Sequence, residues 1–274
     1  MSFLESLAAR ASASNSLLCV GLDSDSQKLP SHLPAKNRVL AFNKAIIDTT
    51  ADLVCAYKIN SAFYESEGSA GIEQLKQTCD YIKSNYPDLP IILDYKRGDI
   101  GNTNDGYVRF AFDYLGADAV TVNPYLGAEA LKPFLDRADK GIIILCLTSN
   151  PGAGEFQNLE VNGKKLYEVV AEKVKSDWNN NHNCLLVVGA TRPEELAKLR
   201  QLMGENFVFL VPGIGAQGGD IKATVKAGIN KSGQGIIINS SREIIFASSD
   251  RDFDGASRIR ALKTRDEINE AREN

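Results

Sequence analysis

The chain has 274 residues, with 31 Lys and Arg against 35 Asp and Glu and a net charge of −4. A mildly acidic balance lacks the clustered positive charge that a phosphate backbone demands, which excludes a dedicated nucleic-acid binder. No apolar run reaches the roughly 18 residues needed to span a membrane.

The first ten residues read as a short amphipathic helix without the basic leader of a signal peptide, so the chain reads as cytoplasmic. An apolar run at 17–23 follows, then a loop at 24–36 with Pro30 and Pro34, and a helical pattern over 37–53. Further Val/Ile/Leu-rich runs lie at 54–60, 91–96, 119–124, 142–148, 185–190, 208–213 and 235–239. Helical patterns separate them at 70–86, 104–115, 127–138, 164–179 and 193–203. A second long loop, 149–163, follows the fifth run and carries three glycines, as a flap over an active-site face would. From about residue 250 the chain is highly charged, which fits a solvated closing helix better than a nucleic-acid contact.

Most of the eight runs are continuously apolar rather than alternating, as parallel strands covered on both faces should be. Alternating βα units in this number predict a single (β/α)8 TIM barrel, an α/β fold, as one domain over residues 1–274. An open doubly wound sheet is the alternative, but 20–23 is not the glycine fingerprint that normally follows its first strand. The five cysteines, Cys19, Cys55, Cys79, Cys146 and Cys184, form no CxxC pair and read as reduced thiols packed as small hydrophobes. The only histidines, His32 and His182, lie in polar segments, so neither a Cys–His couple nor a zinc site is expected.

Chemistry in such a barrel gathers at the C-terminal ends of the strands. Those ends carry Asp23, then Lys58 and Asn60, then Asp94, Lys96 and Asp99, then Asn123, then 148–150. The seventh run leads into a glycine-rich segment, 211–220, and the eighth into 239–242. Asp94 and Lys96 are two apart on one strand and so share a face, while Asp99 lies beyond the strand end. A single lysine here is compatible with closing a barrel rim by pairing with a carboxylate; two lysines among three carboxylates point to charge held ready for chemistry. The glycine run alone is compatible with a tight turn. Placed after the seventh strand, with Arg242 after the eighth, it fits a phosphate site of backbone N–H groups and a bidentate arginine.

Residues 94–103, Asp-Tyr-Lys-Arg-Gly-Asp-Ile-Gly-Asn-Thr, resemble the signature of the orotidine 5′-monophosphate decarboxylase family. Segments 148–153 and 211–217 resemble its longer bacterial subgroup, and the likeness covers nearly the whole chain. The D-x-K-x-x-D pattern is shared with related sugar-phosphate barrels; its combination with Asp23, Lys58, Ser149, Gln217 and Arg242 is more specific. The resemblance implies cofactor-independent decarboxylation of orotidine 5′-monophosphate in pyrimidine biosynthesis. Lys96 would protonate C6, Asp94 would sit by the scissile carboxylate, and Asp23 and Lys58 would hold the ribose hydroxyls. Ser149 would read the pyrimidine edge, and Gln217 and Arg242 would bind phosphate, with Pro212 among the substrate-binding positions. Asp99 and Thr103 would reach into a neighbouring subunit's site, implying a homodimer with shared sites. Two other readings stay open. One is a magnesium-dependent sugar-phosphate decarboxylase or aldolase, which needs another acidic ligand such as Glu65. The other is a non-catalytic phosphate-ligand sensor on the same barrel.

Overall fold

The computed structural model describes residues 1–215 and 218–273. Five strands, β1 (Leu18–Gly21), β2 (Ala56–Asn60), β3 (Ile91–Arg97), β4 (Ala119–Val122) and β5 (Gly141–Leu147), precede a small hairpin of β6 (Glu160–Val161) and β7 (Lys164–Lys165). Then come β8 (Cys184–Val188), β9 (Phe209–Pro212) and β10 (Ile236–Ser240). All but the hairpin pair are parallel and close into a barrel in the order β1-β10-β9-β8-β5-β4-β3-β2. Closure rests on Cys19, which lies opposite Asn239 on one side and Ala56 on the other. The predicted (β/α)8 barrel is therefore the fold, and each of the eight apolar runs supplies one of its strands.

The helices are α1 (Phe3–Ser14), α2 (Arg38–Thr50), α3 (Ala62–Glu65), α4 (Gly68–Asn85), α5 (Gly101–Val108) and α6 (Gly127–Leu135). They continue as α7 (Leu166–Lys173), α8 (Pro193–Met203), α9 (Ile221–Gly228), α10 (Arg242–Ile245) and α11 (Phe253–Glu273). α11 is the expected closing helix. Its apolar stripe is buried while Arg258 grips Asp52 with two hydrogen bonds of 2.6 and 2.9 Å. The loop at 149–163, read from sequence as a flap over the active-site face, lines the cavity at the barrel mouth with Ser149, Asn150 and Gln157. A 3-10 turn (Pro151–Glu155) and the β6–β7 hairpin occupy the loop, and Gln157 ties it back to β5 through Thr148.

The apolar residues divide between two cores. One fills the space between sheet and helices. The other fills the barrel, where Ala56, Ile92, Ala119, Ile143, Leu185 and Ile237 point inward and Phe3 and Leu7 of α1 stop the lower end. The plug is held by its cap: Ser2 accepts from the Glu5 N–H while Glu5 accepts from the Ser2 N–H. Gly141 makes room for it, because a Cβ there would come 2.3 Å from the Phe3 ring. Side chains two residues further along a strand return to the same face. Those following the six inward residues are Lys58, Asp94, Thr121, Leu145, Val187 and Asn239, and all six line the cavity at the barrel mouth.

All five cysteines are buried and unpaired, and burial pushes the Cys55, Cys79 and Cys184 thiols up to about 12. His32 packs its ring near Phe253 instead of entering the mouth cavity. Among the described residues no helix is long and apolar enough to cross a membrane.

Candidate active site

The mouth cavity holds about 500 Å³, within the size range of small-molecule sites. Its floor carries a charged chain. The Lys58 ammonium lies 3.2 Å from Asp23 and 3.1 Å from Asp94, and the Lys96 ammonium lies 2.6 Å from the other oxygen of Asp94. Sequence reasoning placed these four residues together, and the barrel brings them together. Lys58 and Asp94 are almost wholly enclosed, while the Lys96 side chain keeps 47% of its surface open to the cavity.

The route by which Lys96 arrives differs from simple strand alternation. β3 follows β4 in register at Ile92–Ala119 and Leu93–Val120, then slips and regains pairing only at Arg97–Val122. Within this irregularity Lys96 has φ of +50°, the left-handed region that β-carbon-bearing residues seldom adopt. Such bulges re-aim a side chain, here one that ends against Asp94.

The charges support each other. Burial alone would raise the Asp94 carboxyl, but Lys58 and Lys96 hold it far below the usual carboxylate range. Burial alone would lower the Lys58 ammonium, yet Asp23 and Asp94 hold it above its ordinary value. Both therefore stay ionised inside the barrel, where an unpaired charge would be costly.

Ser149, Pro212 and Arg242 line the cavity, as does Asn60. Gln217 lies outside the described residues. Asp99 and Thr103 do not reach this chain's own cavity; Asp99 accepts from the Ile100 N–H at 2.7 Å, and Thr103 is exposed. Asn123, noted at the fourth strand end, turns away to cap the Tyr125 N–H at 3.1 Å. Glu65, the alternative metal ligand, is held by Arg97 at 2.6 Å and does not line the cavity. Among the described residues no group of three or more His, Cys, Asp or Glu side chains is placed to hold a metal.

Thr121 and Gln157 escaped sequence reading, whereas Asn239, noted at the eighth strand end, lines the cavity as expected. Thr121 sits mid-strand in an otherwise apolar β4 and donates to Asp94 at 2.9 Å. The period-2 register from Ala119 was the signal that could have exposed it. Asn239 is buried on the cavity wall, donates to Ser241 at 3.2 Å, and its Oδ1 has no partner among the described residues. Gly21 permits that arrangement, since a Cβ there would fall 1.9 Å from the Ser241 hydroxyl. Gln157 lines the cavity from the loop after β5, and no sequence pattern marked it.

With this geometry in place, comparison with known proteins settles the family. The profile of the orotidine 5′-phosphate decarboxylase / HUMPS family matches residues 16–252. The chain belongs to that family. It is 52% identical over 275 residues to an orotidine 5′-phosphate decarboxylase of Cellvibrio japonicus, covering 99% of this chain and 100% of the relative. A second relative of that name, from a Janthinobacterium species, is 51% identical over 270 residues, covering 98% of each. The solved structure of Leishmania donovani OMP decarboxylase superposes with a TM-score of 0.86 at 38% identity, covering all of both chains.

The lowered pKa of Asp94 in this decarboxylase-family site has a measurable consequence. Between its folded value and its ordinary 3.8, the unfolded chain binds a proton that the folded chain does not. Asp94 therefore contributes stability that is complete above about pH 5 and lost as pH falls through the folded value. Urea unfolding from pH 5 to pH 2.5 is expected to show a steeper acid loss of stability for the wild type than for Asp94→Asn. Parallel curves would mean that the two lysines do not hold the carboxylate ionised.

Proposed function

We propose that this protein converts orotidine 5′-monophosphate to uridine 5′-monophosphate in pyrimidine biosynthesis, as a cytoplasmic enzyme that needs no metal or organic cofactor. The observation that carries the proposal is the Lys96 ammonium, held against Asp94 on the floor of a nucleotide-sized cavity with Arg242 on its wall. Membership of the decarboxylase family supports the same substrate.

The chemistry follows from the charges. When the C6–carboxylate bond breaks, carbon dioxide departs and leaves its electron pair on C6, with no conjugated sink to receive it. A fixed ammonium is the natural stabiliser of that charge, and Lys96 completes the step by giving one proton to C6. Asp94 keeps the ammonium in place before substrate arrives and faces the carboxylate that leaves. Asp23 and Lys58 hold ribose hydroxyls, and Ser149 reads the pyrimidine edge. Pro212, Gln217 and Arg242 take the phosphate end, where binding energy remote from C6 helps organise the reacting centre.

Asp99 and Thr103 belong in this reading to the site of a second copy, so the active species is a homodimer with shared sites. Ile100, 59% exposed between them, and Tyr125, 83% exposed on the neighbouring turn, give that edge an apolar surface for a partner to cover.

EDTA-treated protein is expected to convert orotidine 5′-monophosphate, followed by its absorbance, without added metal. No conversion by folded protein would assign the charged cluster to another phosphorylated substrate, and conversion only with magnesium would favour the metal-dependent alternative. Lys96→Ala should lose at least about 1,000-fold in kcat while binding uridine 5′-monophosphate within a few-fold of wild type. Equal losses of binding and turnover would contradict the proton-donor role.

Shared sites make a second expectation. Lys96→Ala and Asp99→Ala homodimers should each be nearly inactive, but mixing with subunit exchange creates heterodimers with one intact site. Random exchange should restore about one quarter of wild-type activity, since half the dimers are mixed and each carries one working site of two. No recovery after exchange, shown by mass-tagged subunits, would place Asp99 outside the neighbouring site.

A further inference from the structure

The hydroxyl of Thr121 occupies the gap that the β3 irregularity opens. Residues 94–96 leave the β3–β4 ladder together, and Thr121 is the one β4 residue opposite the gap. The Lys96 N–H, which a regular strand would donate to a carbonyl, donates to Thr121 Oγ1 at 3.0 Å. The same oxygen donates its proton to Asp94 Oδ1 at 2.9 Å, and that carboxylate oxygen also receives the Lys96 ammonium at 2.6 Å. A hydroxyl has one proton, so an oxygen that accepts from the Lys96 N–H can give only that proton to Asp94. One buried atom thus connects the backbone of Lys96 to the side chain that Lys96 faces, closing a ring of three hydrogen bonds.

This ring bears directly on the unusual backbone. A lysine at φ +50° is held against its preference, and such conformations persist only where neighbours over-determine them. Without the hydroxyl, the Lys96 N–H loses its partner beside a buried wall, and the Asp94 carboxylate loses the one hydrogen-bond partner among the described residues that is not an ammonium.

We propose that Thr121 is a positioning residue: it locks the left-handed backbone at Lys96 and so aims the ammonium at Asp94 and at the reacting carbon. The inference rests on the roles proposed above for Lys96 and Asp94. It concerns Thr121 acting through those residues, with no contact of its own to substrate required.

The test compares the wild type with Thr121→Val, which keeps the shape and removes the hydroxyl, and Thr121→Ser, which restores it. Thr121→Ala serves as a second hydroxyl-free variant should valine fail to fold. Steady-state turnover of orotidine 5′-monophosphate, calorimetric affinity for uridine 5′-monophosphate and crystal structures are the readouts. The valine variant should lose about 10- to 100-fold in kcat with KM and product affinity within about threefold of wild type, and serine should recover most of the loss. In crystals of the valine variant, Lys96 should leave positive φ or its ammonium should move out of hydrogen-bond range of Asp94. A valine kcat within about twofold of wild type, a serine variant as impaired as valine, or a loss confined to KM and product affinity would overturn the proposal. If wild type itself fails to turn over the nucleotide, the functional reading fails, and the crystal structures alone decide. An unchanged Lys96 in Thr121→Val would then refute the positioning role, and a displaced one would uphold it.

Discussion

Asp94 places a carboxylate at the bottom of a cavity partly walled by Leu145, Val187 and Leu210, where burial on its own would drive it to the neutral acid. It stays ionised because two ammonium groups and one hydroxyl converge on it from three strands. Each of those partners is in turn fixed: Lys58 by Asp23, Lys96 by an unusual backbone turn, and Thr121 by the Lys96 amide. Removing any one member leaves another buried polar group short of a partner, which is the costly case for enclosed charges. Such a cluster is a poor way to stabilise a barrel and a good way to hold an electrostatic field in place before a reaction begins.

The barrel makes this arrangement cheap to position. Inward-facing residues repeat every two positions, so six of the eight strands each contribute one apolar residue to the plugged lower core and the next inward residue to the cavity above it. The lower layer is apolar and closed by Phe3 and Leu7, and the upper layer carries the polar groups. The same register accounts for Lys58 above Ala56, Asp94 above Ile92 and Asn239 above Ile237. Lys96, two positions past Asp94, reaches the same cavity, but by way of the β3 irregularity.

Much of this was legible in the sequence because it depends on local pattern. Continuous apolar runs marked all eight parallel strands, and polar residues ending those runs marked Asp23, Lys58, Asp94 and Lys96. Thr121 was hidden because its role comes from pairing between strands, which one strand's sequence does not state. The bulge was hidden for the same reason: residues 91–97 read as regular alternation, and the slip appears only against β4. Gln157 depends on a loop folding back on β5, a long-range event with no periodic signature. Asp99 and Thr103 were marked by motif, yet they do not line this chain's own cavity, and the role proposed for them needs a second copy.

The most direct measurement of the role given to Lys96 uses the reaction in reverse. A group that delivers a proton to C6 must also remove it, so the enzyme in deuterium oxide should exchange the C6 hydrogen of uridine 5′-monophosphate. Proton NMR should show the C6–H signal of the product fading with wild-type protein and persisting with Lys96→Ala, although both bind the nucleotide. Exchange continuing at an unchanged rate in Lys96→Ala would show that another group carries the proton.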